Sequence, residues 1–350
     1  MSVRARAALL ALPFAAACST GAELLPQDTS TSGCDRVHGA TGVILVTDAG
    51  NTQHFPTEAP SDTLATTTVA GPLADGTWLA VSGNEVLASD DGGCNWQSAG
   101  GRLPSGGVWD LVTVGATAYA FDRGGAQVGI SGDGGLSWTA ADAGEPFIGS
   151  VRADSTGRLR GVQARGLVTS EDGGQTWTPS GTPPPGAPAG AAVFPGDLDV
   201  AAVTYSGGVA ITRNGGTSWD DLGAELVVDG FIGHSVDFAS DSADILWVGG
   251  EDPEQSVIHR TVDAGAHWTD VATSKSLDLD ADAPIWPVPG MPNEALAAYG
   301  SSEDNFGISV YHIIAGDSLH TTHTGGTYFH VNDAAFTEDG SWLVAVDGVQ

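Results

Sequence analysis

Forty-three carboxylates stand in this chain of 350 residues against twelve lysines and arginines, so the first question is whether any are spaced to do chemistry. Two Asp or Glu residues facing each other across a cleft can hydrolyse a glycosidic bond, one as acid and the other as nucleophile or base. With so many candidates such pairs arise by chance, and an acid count decides nothing. Three stretches are denser than the rest. GEDPEQ carries Glu251, Asp252 and Glu254, DLDAD carries Asp278, Asp280 and Asp282, and SSEDN carries Glu303 and Asp304. Oxygen-only ligands of this kind suit Ca²⁺, and a cation or a basic partner would relieve their repulsion. The Asp-x-Asp-x-Asp run lacks the Gly and the closing Glu of an EF-hand loop, so a tight site of that type is not expected. Three solvated loops are the simpler reading. The late histidines His312, His320, His323 and His330 are too loosely spaced for a zinc motif, and no Ser/His/Asp motif or phosphate loop is present. Apart from that Ca²⁺, no cofactor is expected.

The elements that would position these groups are repeated ones. SDDGGCNW (Ser89–Trp96), SGDGGLSW (Ser131–Trp138), SEDGGQTW (Ser170–Trp177), TRNGGTSW (Thr212–Trp219) and TVDAGAHW (Thr261–Trp268) share the frame Ser/Thr-x-Asp-x-Gly-x-x-Trp, called a box below. The first four start 42, 39 and 42 residues apart, and TTHTGGTYF (Thr321–Phe329) reads as a degenerate sixth. A fixed period near 40 marks a repeat architecture. Each box follows a short β-rich run, as AQVGI precedes Ser131, so the unit reads as strand, tight turn, strand. The carboxylates or amide (Asp91, Asp133, Asp172, Asn214, Asp263) and the hydroxyls (Ser89, Ser131, Ser170, Thr212, Thr261) can accept from turn N–H groups. The glycines (Gly93, Gly135, Gly174, Gly216, Gly265) supply positive φ. The tryptophans (Trp96, Trp138, Trp177, Trp219, Trp268) can fold back over the turn, which predicts five equivalent clamps, each over its own box.

These residues resemble the Asp-box, or BNR, repeat. The resemblance implies an all-β fold, a single β-propeller in which the box joins the third and fourth strands of a blade. Asp-box propellers include sialidases, xyloglucan-degrading enzymes, sortilin-type receptors and photosystem II stability/assembly factors, and in all of them the boxes lie opposite the site. A sialidase would need an arginine triad, a Tyr–Glu nucleophile pair and an acid–base Asp, with an Arg-Ile-Pro-like motif ahead of its first box. Arg102-Leu103-Pro104 follows a box instead and reads as a crossover between blades. Xyloglucan-cleaving relatives use two propellers, and this chain supplies one. The expectation is therefore a non-catalytic binding or scaffold module, most like the assembly factors, with a protein or glycan ligand on the face opposite the boxes. A glycoside hydrolase is the alternative.

The two ends of the chain indicate how the ring closes. GSWLVAVDGVQ (Gly340–Gln350) resembles GTWLAVSGNEV (Gly76–Val86), a second strand leading into a third, and stops where a third strand should begin. GVILVTDAGNTQHF (Gly42–Phe55) reads as the missing third strand, worn box turn and fourth strand. A seven-bladed ring follows, its last blade shared by both ends, with six blades as the alternative count. The three acidic stretches then fall in loops of neighbouring blades on the face opposite the boxes.

The N-terminus reads as an export signal. MSVRARAALLALPFAAAC has a basic start, an apolar stretch too short for a membrane span, and small residues before Cys18. Ala15-Ala16-Ala17-Cys18 resembles a bacterial lipoprotein cleavage box, with Ala15 where that family carries Leu. Expected segments are a signal peptide at 1–17, lipidated Cys18 with a Ser/Thr-rich tether at 18–41, and the propeller at 42–350. Ser19, rather than Asp, suits delivery to an outer membrane; a periplasmic or secreted form is the other possibility. Cys34 and Cys94 then remain as an even pair in an exported protein, which reads as a disulfide. Taking Arg4 and Arg6 from the 12 basic residues leaves 10 against 43 acids, a formal −33. Such a surface repels nucleic acid and anionic lipid heads, so contact with a membrane is expected only through the anchor.

Overall fold

The computed structural model describes Cys34 and residues 36–47, 52–54, 56–58, 66–104, 107–223, 225–226, 230–273, 284–301, 307–315, 320–325 and 330–346. Within them the chain forms seven four-stranded antiparallel sheets, the blades of a β-propeller, with almost no helix. The first blade runs Thr66–Ala70, Trp78–Ser82, Glu85–Ser89 and Gln97–Arg102, from the axis outward. The second to sixth begin at the innermost strands Trp109–Val114, Ile148–Ala153, Pro188–Val193, Ile232–Phe238 and Ile285–Pro287. The seventh joins the ends of the chain: Val331–Phe336 and Trp342–Val346 supply its inner strands, and Val43–Thr47 and Thr52–His54 its outer ones. Val43 pairs with Ala345 and Val46 with Trp342. Seven is thus the blade count, and the shared blade removes the exposed edges that an open sheet would present.

The strand sequences explain the packing. WLAVS (Trp78–Ser82) is apolar on both faces because both are covered. Leu79 and Val81 join Trp109, Leu111 and Ala120 of the second blade, whereas Trp78 and Ala80 join Val43, Leu45, Leu343 and Ala345 of the seventh. Successive side chains thus enter different cores. Seven such clusters occupy the seven blade interfaces, and each fully buried Leu in them contributes about 2 kcal/mol. Among the described residues no helix is long and apolar enough to cross a membrane.

Two expectations change. TTHTGGTYF is not a box turn, because His320–Gly325 is the outer strand of the sixth blade, paired with Gly307–Ile314 through Ser309 to His323 and His312 to His320. Its Gly-Gly and aromatic residues imitate the frame, but it has no carboxylate at the third position. Structure also begins before residue 42. Val37–Ala40 forms a small parallel sheet with Pro56–Glu58, and His38 bridges Asn95.

Candidate functional site

The box turns define one face of the ring. Strands one and three of a blade run the same way, so the turns joining strands one to two open on the box face as well. Turns joining strands two to three, and the crossovers between blades, open on the opposite, linker face.

Within each box the polar atoms satisfy one another. In the third, Ser170 Oγ donates to Asp172 at 2.8 Å and accepts from Gly174 N at 2.7 Å; Thr176 donates to Asp172 through its N–H at 2.9 Å and its hydroxyl at 2.6 Å. The Thr176 hydroxyl and N–H together hold the Asp172 carboxyl down at about 2. Asp91, Asp133 and Asp263 make the same contacts, with Asn95, Ser137 and His267 in place of Thr176. Asn214 does so through its amide oxygen, accepting from Thr212 and from Ser218 N at 3.0 Å each. Asp133, Asp172 and Asp263 face solvent and Asp91 is half-buried, but the lone pairs of all four are committed to the turn.

The boxes also do something the frame does not reveal. The glycine at the fifth position of each box lies against the preceding blade, with φ between +85° and +97°. A Cβ there would meet Leu343 at Gly93, Leu79 and Val86 at Gly135 (both 3.3 Å), Ile130 at Gly174 (3.4 Å), the Ser180 carbonyl at Gly216 (2.9 Å) and Leu222 at Gly265 (2.7 Å). The tryptophans lie in the same interfaces and are not equivalent. Trp96, Trp138 and Trp177 donate to their own box carbonyls, Gly93, Gly135 and Gly174, at 2.9–3.1 Å. Trp219 donates instead to Thr182 and Trp268 to Leu222, both on the crossover from the preceding blade. The five clamps are therefore three local ones and two that reach across, set by where each crossover carbonyl happens to lie.

Cys34 and Cys94 form a disulfide with Cα atoms 5.7 Å apart. Together with His38 N to Cys94 O (2.7 Å) and Trp96 N to His38 O (2.9 Å), it ties the N-terminal strap to the first box. Cys18 lies outside the described residues.

The proposed acidic sector is seen only in its first stretch. Glu251 ends the second strand of the fifth blade with His234 Nε2 3.6 Å away. Asp252 accepts from Glu254 N (2.7 Å) and Gln255 N (2.8 Å), closing its own turn, and Glu254 is exposed. Asp278, Asp280, Asp282, Glu303 and Asp304 lie outside the described residues. Among the described residues no three His, Cys, Asp or Glu side chains gather as a metal site. His312 is buried, bonded to Glu294 at 2.8 Å and packed against Trp342.

The site that sequence reasoning missed is the central channel, a cavity of about 620 Å³ lined by the innermost strands of all seven blades. Asp110 is second in its strand, and Arg123 follows the adjoining strand, so this pair lies towards the linker face, 3.4 Å apart. Arg123 keeps 40% of its side chain accessible over the channel, and Asp110 only 9%. Arg152 and Asp237 are each last but one in their strands, so they pair at 3.3 Å near the box face, reaching across the fourth blade. Between these levels stands Asp333. It accepts from Thr68 Oγ1 (2.7 Å) and Val69 N (3.1 Å) of the first blade, Trp286 Nε1 (3.2 Å) of the sixth, and Ala334 N (2.9 Å). Burial first, and the charge of Asp110 second, push the Asp333 carboxyl up to about 6. Burial likewise raises Asp237, against the pull of Arg152. The charge of Asp110 stabilises the Arg123 guanidinium.

With that geometry established, the fold has clear likenesses among solved structures. YCF48 from Cyanidioschyzon merolae superposes with a TM-score of 0.57 at 15% identity, over 81% of this chain and 96% of that one. A YCF48 structure bound to a D1 peptide gives 0.59 at 15%, over 82% and 94%. The GH74 xyloglucanase from Xanthomonas campestris gives 0.55 at 17%, over 82% of this chain and 52% of the enzyme, so this chain spans about half of it. Neither a protein-family model nor a curated protein sequence matches the chain. The likenesses show the β-propeller fold.

Proposed function

We propose that this chain is an exported, lipid-anchored Asp-box propeller that binds a protein or glycan partner on its linker face and does no chemistry of its own. The observation that carries this reading is the state of the channel carboxylates. A hydrolase needs one carboxyl free to give a proton and another free to attack or to activate water. Here Asp333 is committed to four donors from three blades, while Asp110 and Asp237 are each bound to an arginine. Such groups shape and rigidify a surface. The YCF48 structure with a D1 peptide supports the reading by analogy, as a propeller with a protein ligand. An anchor on Cys18 would enter the fold at Cys34, beside the first box, and so leave the linker face turned outward.

Fatty-acid labelling of the wild type and of Cys18→Ser tests the anchor: label in the wild type alone is expected, and label in neither removes it. For the partner, the purified chain should retain a defined envelope component, and Glu251→Lys with Glu254→Lys should reduce that capture. Release of reducing ends from envelope glycans by the wild type would replace this reading with a hydrolase.

A further inference from the structure

We propose that the central channel is itself a binding site for a neutral, hydroxyl-rich ligand, one or two sugar units at the end of a glycan, held by Arg123 and Arg152 against the ring of Trp286. This deepens the binding-module reading and rests on it. The cavity is of the right order, since about 620 Å³ lies inside the roughly 300–1,000 Å³ that small-molecule sites occupy.

Its unsatisfied groups are mostly donors. Arg123 and Arg152 each make one long contact, at 3.4 and 3.3 Å, with a carboxylate, leaving most of each guanidinium fork without an acceptor. Arg152 Nε is buried with no partner. Asp333, by contrast, has its oxygens filled by four donors. The ligand must therefore bring acceptors.

Its charge follows from the same residues. By formal charge three carboxylates stand against two guanidiniums in the channel, in a chain that is itself strongly acidic, so a free anion gains little there. A cation would compete with arginines already paired to Asp110 and Asp237, or would strip Asp333 of its donors. A neutral polyol meets neither obstacle. Hydroxyls donate and accept at once, and two neighbouring hydroxyls match the planar forks of guanidinium and carboxylate. Trp286 is half-buried in the channel wall and its ring is fixed by the bond to Asp333. It offers the apolar C–H face of a sugar ring a flat surface at little entropic cost.

Calorimetry on the full chain at pH 7 tests this with glucose, galactose, mannose and xylose as neutral probes, and glucuronate and glucosamine as charged ones. Saturable heat is expected from at least one neutral sugar, with glucuronate at least about tenfold weaker. Arg123→Gln should weaken the neutral sugar by about tenfold or more. No saturable heat from any neutral sugar overturns the proposal, as does tighter binding of either charged probe or unchanged affinity in Arg123→Gln. Should that variant fail to fold, hydrogen exchange on the wild type decides. The sugar must slow exchange in the innermost strands, and slowing confined to the outer strands overturns the proposal. Envelope capture that persists without sugar binding defeats this inference and leaves the binding module standing. Sugar binding without envelope capture keeps this inference and removes the envelope partner of the linker face.

Discussion

The carboxyl of Asp172, in the third box, titrates at about 2, whereas that of Asp333, in the channel, titrates at about 6. Both accept several hydrogen bonds, so bond number does not separate them. Asp172 faces water and takes its donors from Ser170 and Thr176, within four residues of itself. Asp333 is enclosed and takes its donors from the first, sixth and seventh blades, beside the like charge of Asp110. The local arrangement stabilises the ionised form without desolvating it. The long-range one assembles three blades around a group that burial makes reluctant to ionise. One residue type thus ties a turn in one region and a ring in the other.

The sharpest way to break that contrast is Asp333→Ala. It leaves donors on three blades without an acceptor and should cost about 3–5 kcal/mol in urea denaturation; the equivalent change at Asp172 should cost clearly less. Equal losses would show that the channel carboxyl is no keystone. Next in size, Trp138→Ala should cost about 3 kcal/mol. Its ring packs with Leu79, Val86 and Leu103 of the preceding blade and its crossover, so an unchanged melting temperature would mean that the boxes tie only themselves.

Acid titration separates the two regions without mutation. Because the folded pKa of Asp333 is raised from the ordinary 3.8 to about 6, the folded state holds the extra proton across that window. Its contribution to stability therefore falls as pH rises from about 4 to about 6 and is level above that. The depressed carboxyls of Asp172 and Asp263 act oppositely. Their contribution is present above about 4 and is lost as pH falls towards 2. Melting curves of the wild type and Asp333→Asn should differ in slope between pH 4 and 6, and coincident slopes would contradict the assignment. The smallest effect concerns the fifth box, where Ala264 sits at φ +62° in the place that glycine holds in the other four. Ala264→Gly should gain about 1 kcal/mol by relieving that left-handed strain; a loss would show that the Ala methyl is packed.

How much of this could be read beforehand follows from range along the chain. The boxes recur at blade spacing and are built from residues within eight positions of one another, so the repeat carried the fold and the closing blade. The partners of Trp219 and Trp268 lie 37 and 46 residues away, on crossovers whose path no local pattern dictates. Asp333 meets Thr68 across 265 residues. Its one trace in the sequence is a carboxylate set among mostly apolar or small residues, as in WDLVTV, SVDFA and VNDAAF, which supply Asp110, Asp237 and Asp333. Read together, those three innermost strands would have pointed to the channel.

The shared seventh blade governs the order of events as the chain is made. Val43–Thr47 leave the ribosome early, yet their partner, Trp342–Val346, follows only after some 300 residues, so that pairing is among the most non-local contacts in the molecule and among the slowest to form. For that interval an apolar strand travels with one edge bare, the condition in which growing chains aggregate. If the chain is exported, as proposed above, every blade must be threaded through before the seventh can be sealed. The Cys34–Cys94 bond, which joins residues only 60 apart, can be made long before the ring is complete, and would hold the waiting strand beside the blade it must eventually adjoin.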